Sequence, residues 1–597
     1  MKTTLYSIIF LLTISVTAQK KVLDHPDFDI WNTIRSQSIS NNGKYIIYSL
    51  ERGEKDRFLK IKDEKATLIF NYDRVAGGQF TYDSKNALFT IKAWKDSITE
   101  MQRRKVKKAN MPKDTLAIFN LSSKNLTKIS DIKSYKVPEK WAGYVAYLLE
   151  DIKKPVSKSK AKKTASKTKI KKVKKVSAKN GYHLVIRNLA NQKEDTIKYV
   201  TSYSFAKEGK SLSYVSTGDA STKNGGVYVL NLNNNQTTEV FTANNKSKYY
   251  QLTLNDSGNK LGFVVDADTT KALVRPHQLY VWKGQGKATE ITDQDAASKG
   301  YKISSNGRIG FSKDDSKMYF GFATQPIVKD TTLIKDEIVN VEVWAYDSPR
   351  LYTVQEMQVN NDKRKSYMAA LHLNTNKVVQ LATTKYPNAS IGNEGNAKNV
   401  LVSNAMPYML ESQWTALRAS DYAIVNSSTG TTTPILKKVA GRVQLSPNAK
   451  FAYGYNSVDS TWFSYDVESN KKIDLTKGRV FYNELNDTPN HPGSYGMAGW
   501  TKDDHAMLIY DRYDIYKFNP TTGQSTRLTN GRATKTVYRY ARLDREERFI
   551  DESKTWLLTT FNETSKNSGY YEYNPKRKRG KQLVDGPFRY SNPIQAK

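Results

Sequence analysis

Chemistry at a protein site needs particular side chains brought together, and this chain offers few. Its six histidines are His25, His183, His277, His372, His491 and His505, and none pairs with another histidine or a carboxylate at metal-ligand spacing. A serine nucleophile needs Gly-x-Ser-x-Gly, because the serine must project from a sharp strand-to-helix turn where flanking side chains would clash. No serine meets that pattern; the nearest, in Gly493-Ser494-Tyr495-Gly496, has Pro492 two residues before it. With no cysteine at all, thiol chemistry, disulfides and cysteine metal sites are excluded. The acidic pairs Asp314-Asp315 and Asp503-Asp504 lack the Asp-x-Asp-x-Asp-Gly loop and distal glutamate of a calcium site. They read as turn residues, whose side chains bond their own backbone. Glu546-Glu547 could hold an ammonium group by charge-assisted hydrogen bonds. In Asp544-Arg545-Glu546-Glu547-Arg548, however, the adjacent arginines are expected to neutralise it in a solvated turn. The expectation is no catalytic, cofactor-binding or metal residue.

The elements that would position such groups repeat along the chain. A polar turn followed by an alternating apolar strand recurs every 40 to 60 residues. Copies are Ser40 to Lys44, Asp83 to Asn86, Glu208 to Lys210, Asp256 to Lys260, Asp314 to Lys317, Pro447 to Lys450, Asp503 to His505 and Glu552 to Lys554. Each leads to an aromatic-rich strand, an Asn/Gly/Thr turn and a closing strand, as in Gly226 to Phe241, Ser460 to Thr476 and Tyr513 to Thr529. These are antiparallel meanders, and stacking them radially buries faces that one sheet alone leaves open. The reading is an all-β fold, a β-propeller of four-stranded antiparallel blades. About ten repeats exceed one usual ring, so seven or eight blades with shared modules, or two rings, are expected. The nine tryptophans fall at about one per repeat and are expected in the core between blades.

Charge and the termini narrow the function classes. Of the net +36, 13 lysines lie between Lys153 and Lys179 with no acid among them, and Arg103 to Lys108 adds five more cations. The remaining +18 is dispersed, and the lysine-rich stretch, nearly free of aromatics, reads as a disordered loop over 151–180 rather than a nucleic-acid site. Lys2, the apolar run Leu5 to Val16, and Val16-Thr17-Ala18 before Gln19 read as a cleavable signal peptide over 1–18. The run is too short for a membrane span, so a periplasmic or secreted protein with no stable span is expected.

Several stretches resemble the propeller of secreted bacterial prolyl-oligopeptidase-like (S9) serine peptidases. They are Tyr495 to Gly523, Gly441 to Gly478, Arg539 to Gly569, Gly586 to Pro593, and Val341 to Asp347 with Arg364 to Tyr367 downstream. The resemblance covers roughly residues 25 to 597 and is most specific in the last 160. It implies a propeller over 19–597 that restricts peptide access to a C-terminal α/β-hydrolase domain, itself outside these residues. It also implies peptide substrates as partners, through that domain. Some dipeptidyl-peptidase relatives hold the substrate amine with a propeller glutamate pair, a role not carried over to Glu546 and Glu547. A free-standing exported propeller that binds peptides, proteins or glycans is the alternative reading.

Overall fold

A computed structural model describes residues 22–150 and 174–597, apart from Asp29 and residues 220–223, 243, 245, 271, 329, 340, 342 and 343. The signal segment, most of the lysine-rich loop and part of the Val341 to Asp347 stretch lie outside the described residues. Every strand pairing among the described residues is antiparallel, and the chain divides into two compact units, 1–135 with 596–597, and 136–595.

The first unit holds two meanders. One comprises Asn32–Ile39, Tyr45–Arg52, Phe58–Asp63 and Leu68–Asp73. The other comprises Val75–Phe80, Asn86–Ile91, Asp114–Asn120 and the start of Leu126–Lys136. Ile47, Leu59, Phe89 and Phe119 are buried between them, and Phe70 stacks on Phe119 at 4.1 Å.

The second unit holds the later strands of a ten-stranded sheet followed by six separate sheets, and together they make eight blades of a β-propeller. Blade 1 contains Tyr144–Leu149, Tyr182–Asn188 and the first half of Glu194–Phe205. That last strand changes partner at Val200: its earlier residues pair with Tyr182–Asn188 and its later ones with Ser211–Ser216. It therefore ends one blade and opens the next. Tyr199, at φ +55°, and the bulge between Val200 and Ser202 supply the bend. Blade 2 continues through Gly226–Asn231 and Gln236–Thr242. Blade 3 runs from Lys248–Leu254 to Thr289–Ile291, blade 4 from Tyr301–Ile303 to Lys377–Gln380, and blade 5 from Asn388–Ile391 to Thr432–Ala440. Blade 6 runs from Val443–Leu445 to Lys471–Asp474, blade 7 from Met497–Trp500 to Ser525–Arg527, and blade 8 from Thr536–Tyr540 to Arg579–Gly586.

Each blade buries one face on the next, because a lone antiparallel sheet cannot cover both its faces. Trp141 is buried between blades 1 and 2, Trp282 between 2 and 3, Trp462 and Trp500 between 6 and 7, and Trp556 between 7 and 8. The expectation of one core tryptophan per repeat fails for four others. Trp31, Trp94, Trp344 and Trp414 are half to four-fifths exposed, on segments outside the sheets. The repeats map onto eight sheets rather than ten, because one ten-stranded sheet, from Val75–Phe80 to Gln236–Thr242, holds several successive repeats.

Candidate functional site

In an up-and-down blade, the first-to-second and third-to-fourth connections share one end, and the second-to-third connections lie at the other. In the second unit the recurring polar turns make the first-to-second connections of blades 2, 3, 4, 6 and 7, so they gather at one end. Lys313 of blade 4 reaches Glu208 of blade 2 at 2.8 Å and Asp256 of blade 3 at 2.5 Å. The Glu208 and Gly209 amides both donate to the Asp256 carbonyl, at 2.8 and 3.0 Å. Glycine is required there, because a Cβ on Gly209 would lie 1.8 Å from the Ser257 carbonyl oxygen. The Asp314 amide donates to Asn396 of blade 5 at 3.0 Å, and the Asn448 amide of blade 6 donates to Asp504 of blade 7 at 3.0 Å.

Blade 8 departs from this pattern: its connection, 541–555, is far longer than the other turns. Glu546 at its centre lies 2.7 Å from Lys140 and 2.6 Å from Lys207. The hydrogen bonds from these ammonium groups hold its carboxyl down at about 2, and Glu546 in turn pushes Lys140 up. Two residues on, Arg548 donates to the Pro447 carbonyl at 2.9 Å and to Asn448 Oδ1 at 3.1 Å, both in blade 6. It also bonds Asn393 and pairs with Glu394 of blade 5 at 3.1 Å. One connection thus ties blades 1 and 2 to blades 5 and 6 and closes a polar circuit around this end. The sequence expectation for the glutamate pair needs correction. The arginines beside Glu546 do not neutralise it; lysines distant in sequence do, while Glu547 accepts from Tyr540 Oη at 2.8 Å.

The other end carries the long connections, 325–366 and 405–418, with the helices Tyr352–Lys363 and Met409–Thr415. Trp344, Tyr346 and Trp414 stand exposed on them, by 73 to 95%. Such connections are where binding groups concentrate, since they tolerate variation that sheets do not. A cavity of about 670 Å³ opens here, lined among others by Arg418, Gly441, Ser457, Asn490 and His491. Over blades 7 and 8 this end is cross-tied. Asp514, fully buried, accepts from Thr529 Oγ1 at 2.7 Å and from the Gly531 and Arg532 amides. Arg532 pairs with Glu484 at 2.7 Å and Asp511 at 3.0 Å, and Arg512 with Glu563 at 2.7 Å. Lys174, at the described end of the lysine-rich segment, donates to Thr217 Oγ1 at 2.6 Å and lies over the Tyr199 ring.

The histidines are scattered. His183 is buried against Tyr199, His372 Nε2 lies 2.8 Å from the Ser427 carbonyl, and burial lowers the His277 imidazole below its ordinary value. His505 ends a polar turn, His491 lines the cavity, and the side chain of His25 lies outside the described residues. Ser494 Oγ accepts from the Gly496 amide at 3.2 Å and so helps form a turn. Among the described residues no three His, Asp or Glu side chains are placed to hold a metal ion, and no helix is long and apolar enough to cross a membrane.

No protein-family model matches the chain, and no curated protein matches it. Solved structures similar to it include a eukaryotic initiation factor, at 10% identity and TM-score 0.37, covering 75% of this chain and 89% of the other. Another comes from a structural and mechanistic study of two prolyl endopeptidases, at 10% identity and TM-score 0.30, covering 73% of this chain. This chain spans 55% of that endopeptidase chain, little more than half its length. A third is the β-propeller domain of the Trilobed protease from Pyrococcus furiosus, at 9% identity and TM-score 0.26, covering 68% of this chain and 99% of the domain. All three likenesses fall below a TM-score of 0.5, so the propeller assignment rests on the chain's own sheets and inter-blade cores.

Proposed function

We propose that this chain is the non-catalytic propeller region of an S9-type serine peptidase, admitting peptides to a hydrolase domain that these residues do not contain. The observation that carries the reading is the contrast between the two ends of the second unit. At one, Glu546 and Arg548 link blades 1 and 2 to blades 5 and 6, and the other bears the long connections, exposed aromatics and a cavity. A filter needs such a difference, because a passage open equally at both ends selects nothing. The resemblance of Tyr495 to Gly523 and of Gly586 to Pro593 to that family supports the same reading.

The test is a peptide-hydrolysis assay of the chain, paired with the reading frame past codon 597. No turnover together with a downstream Gly-x-Ser-x-Gly supports the proposal; turnover blocked by a serine-directed inhibitor overturns it. A stop codon favours the second reading, a free-standing exported propeller that binds peptides, proteins or glycans, which the cavity also supports. In both readings the protein is exported to the periplasm or beyond. N-terminal sequencing of the mature protein should then begin at Gln19, and retention of Met1 would count against export.

A further inference from the structure

We propose that the cavity walled by the connections of blades 5, 6 and 7 binds a carboxylate. Its volume, about 670 Å³, falls in the range of small-ligand sites. The ionisable groups among its lining residues are Arg418 and His491, both capable only of offering positive charge or donors to an anion when protonated. Neither has an ion pair or hydrogen bond among the described residues. Three of the acids nearby are committed elsewhere. Glu411 pairs with Lys438 at 2.9 Å, and Asp421 accepts the Tyr408 hydroxyl at 2.6 Å and the Lys438 amide at 2.9 Å. Asp459 takes the Asn456 side-chain amide. Asp487 is exposed beside Thr488, outside the lining. An arginine fork left without a carboxylate, in a protein that pairs so many others, suits a carboxylate from a ligand.

The walls are built rather than incidental. The connection bearing His491 is braced from within: Asn486 donates to the Thr488 and Asn490 carbonyls at 3.1 Å each, and the Asn483 amide donates to the Gly493 carbonyl at 2.7 Å. Tyr455 Oη, from the neighbouring strand, fixes the Pro492 carbonyl at 2.8 Å. On the opposite wall Ala416 holds a left-handed conformation at φ +56°, a strained state for a residue with a side chain, and turns the chain from its helix into Leu417 and Arg418. Gly441 lines the cavity between these walls.

The inference does not depend on the peptide-admitting role proposed above. It is tested by fluorescence anisotropy of the whole chain with an N-terminally labelled tripeptide Ala-Ala-Phe, as free acid and as C-terminal amide. The free acid is expected to bind, and the amide to bind roughly 10- to 100-fold more weakly, the loss of one charge-assisted contact. Arg418→Gln should weaken the free acid by a similar factor, and because Arg418 is exposed the variant should fold normally by circular dichroism. A labelled amide tripeptide with a central Glu distinguishes a side-chain carboxylate from a chain terminus, and competition by succinate identifies a small free acid. Binding by any of these that Arg418→Gln weakens supports the site. Equal binding of acid and amide, indifference to Arg418→Gln, or no binding by any probe overturns it.

Discussion

Glu546 Oε2 lies 2.7 Å from Lys140 Nζ, joining the connection of the last blade to the segment just ahead of the first strand of its unit. The pair is partly exposed, and screening by solvent limits its worth to about 1 kcal/mol. Its carboxyl is held at about 2, below the ordinary 4.5, so the contribution is present above about pH 4.5 and is lost as pH falls toward 2. Glu546→Gln should therefore lower the urea midpoint at pH 7, and the gap from wild type should narrow between pH 4.5 and pH 3. It should also narrow in about 1 M salt, where charges are screened over roughly 3 Å. A gap independent of both pH and salt would assign the loss to packing.

Arg548→Ala removes the link to blades 5 and 6 while leaving Ile550 in place, buried and bonded to the Trp500 carbonyl at 2.8 Å. Amide hydrogen exchange should accelerate by about tenfold or more across residues 543–548 and stay unchanged in the strands of blade 8. Unchanged exchange at 543–548 would mean that Glu546 alone holds the connection.

Asp514→Ala should be among the most damaging single changes in blades 7 and 8. It deletes a fully buried acceptor of three donors, Thr529 Oγ1 and the Gly531 and Arg532 amides, and leaves them unsatisfied. A loss of about 3 kcal/mol is expected, visible as a lower thermal midpoint. Asp514→Asn, which keeps an acceptor oxygen, should recover part of it.

Gly441→Ala tests the backbone beside the cavity. At φ +148° an added Cβ would sit 2.1 Å from the Tyr455 carbonyl oxygen, so the turn must shift. A destabilisation of about 2–4 kcal/mol is expected in chemical unfolding, and a neutral effect would mean that the blade 5 to 6 junction relaxes freely.

Much of the fold is legible because blade turns repeat one local solution. Ser40, Ser312 and Ser446 each accept, through Oγ, the amide of the residue five positions on, at 2.9 to 3.0 Å. Thr501 does the same with Ala506 at 3.0 Å. This is chemistry within a few residues, and so it marks the sequence at these repeats. The exposed Trp344 and Trp414 carry no such mark: composition counts a tryptophan alike on a strand and on a connection.

The candidate site was less legible. The Arg-Glu-Glu-Arg run looks self-neutralising, yet an extended connection turns adjacent side chains apart and gives each a different neighbour. Arg418 and His491 lie far apart in sequence within ordinary loops, and no spacing rule links them.

The sequence by itself determined the antiparallel meanders and their turns, since each depends on residues a few positions apart. Only the tertiary structure decided which tryptophans are core, that Glu546 belongs to Lys140 and Lys207, and that Arg418 and His491 share one cavity. Those facts depend on which blade edges meet, and charge pairing across such distances is set by the sum of many inter-blade contacts rather than by any local pattern.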